Sequence, residues 1–349
     1  MSHSTSLRTL GRTARLLTRA VLCCTFRTEP RPTGSGRAPF HAVAALALFL
    51  ASLTLPSIGQ EDLVFRADLR LVVLHTTVVD RNGKLLTDLP QAAFKVYENN
   101  VEQELRLFRH EDVPISLGLI LDNSASMREK RQKVAAAALQ LVKASNPQDE
   151  VFIVNFNDFA YLDSPFTNSI PKLEEGLARI DSRGTTAMRD AIGMSINYMK
   201  SNARLDKKIL LVITDGDDNL SELTPEQIMR QAQQAEVLIY AIGLLSEEDR
   251  GSARQAKKAL DMITEASGGA PYYPQDLAEV DQIALRVAHE IRNQFTIGYS
   301  PSQQTLDGSF RQIRVIVDGP NRPVARTRTG YYATPEARSR PPASSVPAK

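Results

Sequence analysis

The sequence predicts an α/β fold class, with a doubly wound, mostly parallel sheet and a smaller β-sandwich-like domain beside it. Apolar runs at residues 115–121, 151–156, 209–214 and 237–242 are almost uninterrupted, which is typical of strands buried on both faces of a parallel sheet. Amphipathic stretches with helical spacing separate these runs. Segments rich in β-branched residues and tight-turn signals lie on either side of this repeat.

The first 59 residues have the order of a secretory signal. Residues 1–41 contain seven Arg, no Lys and one acid, and the apolar run 42–55 and the small-residue stretch 57–59 follow. We therefore expect cleavage after Gly59 and a secreted, periplasmic or cell-envelope location. The apolar run is shorter than the about 20 residues that a membrane span needs, so no stable span is expected after cleavage. An uncleaved anchor is the alternative.

Removal of this leader changes the charge balance. The whole chain has 42 Lys and Arg against 40 Asp and Glu, whereas residues 60–349 have 35 against 39 and a net charge near −4. Binding to nucleic acid therefore has no electrostatic support. Both cysteines, Cys23 and Cys24, also lie in the leader, so no disulfide is expected in the rest of the chain.

Two β segments, residues 60–112 and 295–334, flank the central repeat. Asn82-Gly83 and Asn99-Asn100 are turn signals in the first segment. The predicted strands are residues 69–80, 93–98 and 101–108, then 295–299, 310–317 and 325–332. We predict that both segments pack together as one β-sandwich-like domain; the alternative is that their strands extend the edges of the central sheet. Residues 335–349, rich in Pro, Ser and Ala, are predicted to be disordered.

The central domain is predicted to cover residues 113–294. Its helices are expected at residues 127–145, 187–200, from Thr224 onward, 253–266 and 277–291, with additional strands at 160–166 and 271–273. Thr224-Pro225-Glu226-Gln227 has a capping Thr, a Pro in the first turn and a Gln in capping-box position. Right-handed crossovers then connect neighbouring strands through helices.

Oxygen-bearing side chains follow two of the buried strands. Asp122, Ser124 and Ser126 come directly after the strand at 115–121, and Asp215 follows the strand at 209–214. Sites in open α/β sheets form beyond the carboxyl ends of strands, so we expect the first three side chains to face one solvent-filled crevice. Hard oxygen donors suit Mg²⁺, with Mn²⁺ or Ca²⁺ as alternatives. The competing interpretation is that they cap the following helix.

Three loops together resemble the metal-ion-dependent adhesion site of von Willebrand factor type A domains, which have a Rossmann-like fold. The first part of that pattern, D-x-S-x-S, matches Asp122, Ser124 and Ser126. A loop Thr in the family matches Thr186, and an Asp after a later strand matches Asp215. The resemblance covers roughly residues 114–293.

The middle loop is the ambiguous part of the match, because Thr185 and Thr186 are adjacent. Thr186 is preferred, since Ala and a large apolar residue follow it as in the family, and Thr185 is the fallback. The resemblance implies that the two Ser and the Thr ligate the ion directly once ligand is bound. The two Asp act through water or through hydrogen bonds to the inner ligands.

An ion held by neutral hydroxyls and only two carboxylates keeps net positive character and attracts a further anionic oxygen. The resemblance therefore implies a secreted protein-binding module, not an enzyme, that captures an Asp or Glu of a protein partner. One alternative is a structural envelope component whose metal only orders loops. Another is a phosphohydrolase with Asp122 as nucleophile, which is disfavoured because position 124 is Ser where such enzymes need a second Asp.

The flanking segments are similar to a group of secreted bacterial proteins, frequent in acidobacteria, that combine this domain with β segments. The matching features are residues 88–98, 111–114, 298–301 and 330–332. That group has no well-defined activity. Two further acids have simpler interpretations: Asp218 as a solvated loop residue, and Asp190 as a structural residue at a helix start.

Overall fold

The computed structural model describes residues 70–179, 182–216, 218–245, 250–319 and 321–334. The chain divides into two compact units, residues 1–66 and 67–349, and all described residues belong to the second. The predicted leader with its cleavage site and the predicted disordered tail lie outside the described residues. In the part that is described, none of the helices combines the length and the apolar character needed to cross a membrane.

The described residues form fourteen strands. In chain order they are β1 (Val72–Val79), β2 (Phe94–Glu98), β3 (Val101–Gln103), β4 (Leu105–Arg109), β5 (Ile115–Asp122), β6 (Glu150–Phe156), β7 (Ala160–Thr167), β8 (Lys207–Thr214), β9 (Val237–Gly243), β10 (Pro271–Tyr272), β11 (Phe295–Tyr299), β12 (Phe310–Val317), β13 (Val324–Arg326) and β14 (Gly330–Tyr332). The helices are α1 (Arg131–Lys143), α2 (Ile170–Ala178), α3 (Met188–Asn202), α4 (Pro225–Ala235), α5 (Arg250–Ser267) and α6 (Val280–Arg292).

The central sheet has six strands in the order β10-β9-β8-β5-β6-β7. All neighbours are parallel except β7, which pairs antiparallel with β6. Every residue of β5 is buried, as expected for a strand in the middle of a sheet that is covered on both faces. This confirms the predicted α/β class with a mostly parallel sheet.

Helices cover both faces of this sheet. Leu117, Leu119 and Leu121 of β5 pack into one apolar core, to which α1, α2 and α6 contribute. Ile120, which points to the opposite face, packs into a second core with α3, α4 and α5. Alternate residues of β5 therefore pack against two helical layers. This packing fixes the position of the strand and of its last residue, Asp122.

Two four-stranded antiparallel sheets form the flanking part, in the orders β13-β1-β11-β4 and β14-β12-β2-β3. The N-terminal β1 pairs with the C-terminal β11, and β2 pairs with β12. Phe94 and Phe295, one from each segment, meet with ring centroids 4.9 Å apart. The alternative in which these strands extend the central sheet is wrong, because none of them belongs to the six-stranded sheet.

Three predicted elements differ from the structure, and one helix was not predicted. The strand expected at residues 101–108 is two strands, β3 and β4, which lie in different sheets. The helix expected at residues 127–145 begins only at Arg131, after a 3-10 turn over Ala125–Met127. The strand expected at residues 325–332 is two short strands in different sheets, with buried Arg328 between them. Helix α2 was not predicted, because its buried stripe is limited to Leu173, Gly176 and Leu177.

Candidate metal centre

Backbone hydrogen bonds hold three loops together at the carboxyl ends of β5 and β8. Ala125 N donates to Gly184 O over 3.2 Å, and Asn219 N donates to Thr186 O over 3.3 Å. Gly184 has a φ of +75°, and a Cβ there would lie 2.5 Å from the Asp158 carboxylate. The middle loop therefore needs glycine both for its backbone angle and for this close approach.

Asp122 is fully buried at the base of this loop cluster. Its Oδ1 accepts a hydrogen bond from Ser124 N at 2.8 Å, and its Oδ2 accepts one from Thr214 Oγ1 at 2.6 Å. Burial raises the pKa of Asp122 to about 6, against the opposing effect of these hydrogen bonds, and nearby Asp215 raises the pKa further. The expectation of a solvent-facing side chain is thus wrong for Asp122, and also for Ser124, which is 2% exposed.

Three of the other four predicted site residues form a chain of hydrogen bonds. Ser124 Oγ lies 3.1 Å from Ser126 Oγ, and Ser126 Oγ donates to Asp215 Oδ1 over 2.8 Å. Ser126 is exposed, whereas Ser124 and Asp215 are buried. The structure thus brings together side chains that are 89 residues apart in the sequence.

The helix-capping interpretation of the hydroxyl residues is contradicted. Ser124 precedes the 3-10 turn but its side chain makes no capping hydrogen bond. Helix α1 has Lys130, not a hydroxyl residue, at its N-cap position. The Ser124 and Ser126 hydroxyls therefore point into the loop cluster and do not satisfy helix amides.

Thr185 and Thr186 turn their hydroxyls to different neighbours. Thr185 is exposed, and its Oγ1 donates to Asp158 Oδ1 over 2.5 Å. Thr186 is buried, and its Oγ1 lies 3.5 Å from the position of a Cβ on Gly216, the residue after Asp215. This geometry supports the choice of Thr186 as the residue of the loop cluster.

The residues present fit a small, hard cation. Adjacent oxygens in an octahedral Mg²⁺ shell with bonds of about 2.0–2.1 Å are separated by roughly 2.9 Å. The observed oxygen separations of 3.1 Å and 2.8 Å are hydrogen-bond distances, and they show that these three oxygens already lie within one small volume. In the described ranges no group of three or more His, Cys, Asp and Glu side chains is placed to hold a metal. A site here would be of the mixed type, with two carboxylates and three hydroxyls.

Two cationic side chains at the start of α1 were missed in the sequence. Lys130 Nζ lies 2.5 Å from Asp215 Oδ2. Arg131 is fully buried and donates from Nη2 to Asn155 Oδ1 over 2.7 Å. The signal for Arg131 was present, because it lies on the apolar stripe of α1 with Val134 and Ala138. The partner of Lys130 could not be inferred from local sequence.

The loop acids beside the cluster have structural roles. The Asp218 side chain is 3% exposed and accepts a hydrogen bond from Arg189 N at 2.6 Å, so its interpretation as a solvated residue is wrong. Asp190 accepts hydrogen bonds from the backbone amides of Glu222 and Leu223, in agreement with the structural role predicted for it. Both acids brace the loop that follows β8.

An exposed aromatic residue stands beside the same loops. Phe159 is 72% exposed, although it is a large apolar residue. The preceding Asp158 accepts hydrogen bonds from both the amide and the hydroxyl of Thr185, which ties the β6–β7 loop to the middle loop. Leu220, 48% exposed, follows on the other side, where its amide donates to Thr186 O.

Comparison with known proteins finds a match in the central part of the chain. Residues 117–217 match the model of the von Willebrand factor type A domain. An uncharacterized protein of Borreliella burgdorferi is 22% identical over 210 residues, which are 57% of this chain and 61% of that protein. The inter-alpha-trypsin inhibitor heavy chain H4 of Sus scrofa is 23% identical over 133 residues, 35% of this chain and 14% of that protein.

Among solved structures, the conserved hypothetical protein BatB from Bacteroides thetaiotaomicron aligns with a TM-score of 0.41 and 18% identity. That alignment covers 50% of this chain and 98% of BatB. This chain spans less than two thirds of the length of either sequence relative. The residues that match the von Willebrand factor type A domain model lie in the α/β part of this chain, which has the mostly parallel six-stranded sheet.

Proposed function

We propose that this protein is a secreted or cell-envelope binding module that holds Mg²⁺ at Asp122, Ser124, Ser126, Thr186 and Asp215 and captures a carboxylate of a protein partner. One observation carries the proposal: the Ser124, Ser126 and Asp215 oxygens converge at the loop cluster and are not used for helix capping. The basic and apolar order of the leader supports export.

The chemistry of the donor set accounts for the preference for an acidic ligand. Three of the five side chains are uncharged, so a bound divalent ion keeps positive charge toward solvent. Ser126, the exposed member, lies at the open side of the site, where a ligand oxygen would arrive. Phe159 and Leu220 add apolar contact area on either side of the middle loop, so the partner would present its carboxylate next to apolar residues.

The test is capture of partners from the envelope and secreted proteins of the source, in Mg²⁺, in Mn²⁺ and in chelator. The wild-type chain is compared with Asp122→Ala and Ser126→Ala, and with Asp318→Ala as a control at an exposed acid of the flanking sheets. Ser126→Ala is the variant that spares the fold, since its side chain is exposed. Asp122→Ala leaves two buried donors unpaired, which costs about 1–3 kcal/mol for each, so its folding is checked by circular dichroism.

We expect metal-dependent capture by the wild type and the control, and loss of capture in the two site variants. Amidation of the carboxylates in the extract should abolish capture as well. Retention of the same partners in chelator, by wild type and Asp122→Ala alike, would leave the structural envelope role in its place. We also propose that the chain belongs to the group of secreted bacterial proteins that its flanking segments resemble.

A further inference from the structure

The Asp215 carboxylate forms an ion pair with a lysine side chain. Lys130 Nζ lies 2.5 Å from Asp215 Oδ2, while Oδ1 accepts the hydrogen bond from Ser126. The Asp215 side chain is 1% exposed and that of Lys130 is 26% exposed. A buried carboxylate is thus neutralised by an ammonium group that reaches it from the solvent side.

A second cation balances the other carboxylate. Arg131 is buried close enough to Asp122 for their charges to interact, and its Nε and Nη1 have no hydrogen-bond partner among the described residues. Asp163, which accepts a hydrogen bond from Asn155 and is paired with Arg179, also interacts with the charge of Arg131.

The two cations differ in their freedom to move. Arg131 is enclosed in the core, so its charge stays in place whatever happens at the loops. Lys130 precedes the first turn of α1 and has a long, flexible stem, so its ammonium group can swing into water without disturbing the core. Of the two cations, Lys130 is the one whose side chain can leave its carboxylate for water once another cation takes its place.

We propose that Lys130 is an internal counter-cation that competes with the divalent ion for Asp215, an inference that rests on the proposed metal site. A divalent ion near Asp215 repels the ammonium group, so metal loading requires Lys130 to leave the carboxylate. The displaced ammonium group stays tethered at the mouth of the site. There it adds a positive charge that favours an acidic ligand, and it makes the resting site bind metal weakly until such a ligand arrives.

A purely structural ion pair makes a different prediction. If Lys130 served only to hold the loop to α1, its replacement would lower stability and would either weaken metal binding or leave it unchanged. If Lys130 competes with the metal, its replacement should instead tighten metal binding. The direction of the change in metal affinity therefore separates the two roles.

The experiment measures Mn²⁺ binding to the full chain by the electron paramagnetic resonance signal of free Mn²⁺. Lys130→Met removes the charge and keeps the length of the stem, whereas Lys130→Arg keeps the charge. Lys143→Met is the matched control, since it removes the same charge at the far end of α1, where Lys143 pairs with exposed Glu174. Asp122→Ala shows that binding occurs at this site, and circular dichroism shows that each variant is folded.

We expect Lys130→Met to bind Mn²⁺ about tenfold tighter or more, which corresponds to about 1.4 kcal/mol. The Mn²⁺ affinities of Lys130→Arg and Lys143→Met should stay within about twofold of the wild-type affinity. The counter-cation role would be overturned if folded Lys130→Met bound Mn²⁺ as tightly as the wild type or more weakly. The proposed metal site would still stand if Asp122→Ala abolished the Mn²⁺ binding of the wild type. Absence of Mn²⁺ binding in every variant would overturn both proposals.

Discussion

At the scale of single residues, the two adjacent threonines of the middle loop are the sharpest contrast in the molecule. Thr186 turns its hydroxyl toward Gly216 and is buried, whereas Thr185 binds Asp158 and is exposed. We expect Thr186→Ala to reduce Mg²⁺-dependent capture at least tenfold, the loss of about 1.4 kcal/mol of coupling. Thr185→Ala is the matched control, with capture measured at equal protein concentration. The reverse ranking would assign the ligand role to Thr185.

The exposed aromatic at the rim gives a second residue-scale prediction. Because Phe159 is 72% exposed, Phe159→Ser should change the free energy of unfolding by less than about 0.5 kcal/mol. It should nevertheless weaken capture of a partner, since an exposed large apolar side chain beside a binding site supplies buried contact area on association. Val101→Ser, at a similarly exposed apolar residue of the flanking sheets, is the control. Unchanged capture by Phe159→Ser would remove Phe159 from the partner surface.

At the scale of elements, α4 begins with a complete capping box. Thr224 Oγ1 accepts a hydrogen bond from Gln227 N, and the Gln227 side chain accepts one from Thr224 N. Thr224→Ala should therefore lower stability by about 1 kcal/mol, measured as a shift of the urea midpoint with an unchanged slope. Thr224→Ser should restore most of the loss. Equal stability of Thr224→Ala and wild type would show that tertiary packing alone fixes this helix start.

The flanking sheets depend on strands from both ends of the chain. Strand β1 lies between β11 and β13, and β2 lies between β12 and β3. We expect a chain that ends after Asn293 to lose hydrogen-exchange protection in β1, because both of its neighbours are then missing. Amides of β5 and β8, whose partners are retained, serve as the internal reference. Full protection of β1 in the shortened chain would show that the N-terminal strands fold without the C-terminal ones.

At the scale of the whole molecule, stability should depend on pH through His75. Burial, with Lys207 and Arg328 nearby, lowers the pKa of His75 to about 3 from 6.5. Below pH 6.5 the unfolded chain therefore binds a proton that the folded chain refuses, and stability is lost as the pH falls from 6.5 toward 3. The contribution has a slope of at most about 1.4 kcal/mol per pH unit.

The measurement compares urea unfolding of the wild type and His75→Gln between pH 3 and pH 8. The stability of the wild type relative to His75→Gln should rise across the interval from 3 to 6.5 and stay level above it. His289→Gln, which removes an exposed histidine, is the control. The difference between variants is used because Asp122 and Asp149, whose pKa values are raised, contribute with the opposite sign over part of this range.

The alternation of apolar runs and amphipathic stretches was enough to predict the class of the central sheet, because burial on two faces leaves a strong local signal in its inner strands. The capping box of α4 was predicted for the same local reason. The depth of Asp122 and the pairing of Lys130 with Asp215 were out of reach, since both depend on contacts between residues 85 or more positions apart. Helix α2 left too short an apolar stripe to be recognised.

The α/β part of the chain leaves and re-enters the flanking sheets through two adjacent strands, since Arg109 at the end of β4 pairs with Thr296 near the start of β11. Its two ends are therefore only about 5 Å apart, the spacing of neighbouring strands. Tension applied along the chain would be carried by the paired strands of the flanking sheets, and the inserted α/β unit would carry none of it until β4 and β11 separate. This topology keeps tension along the flanking strands away from the backbone of the loop cluster.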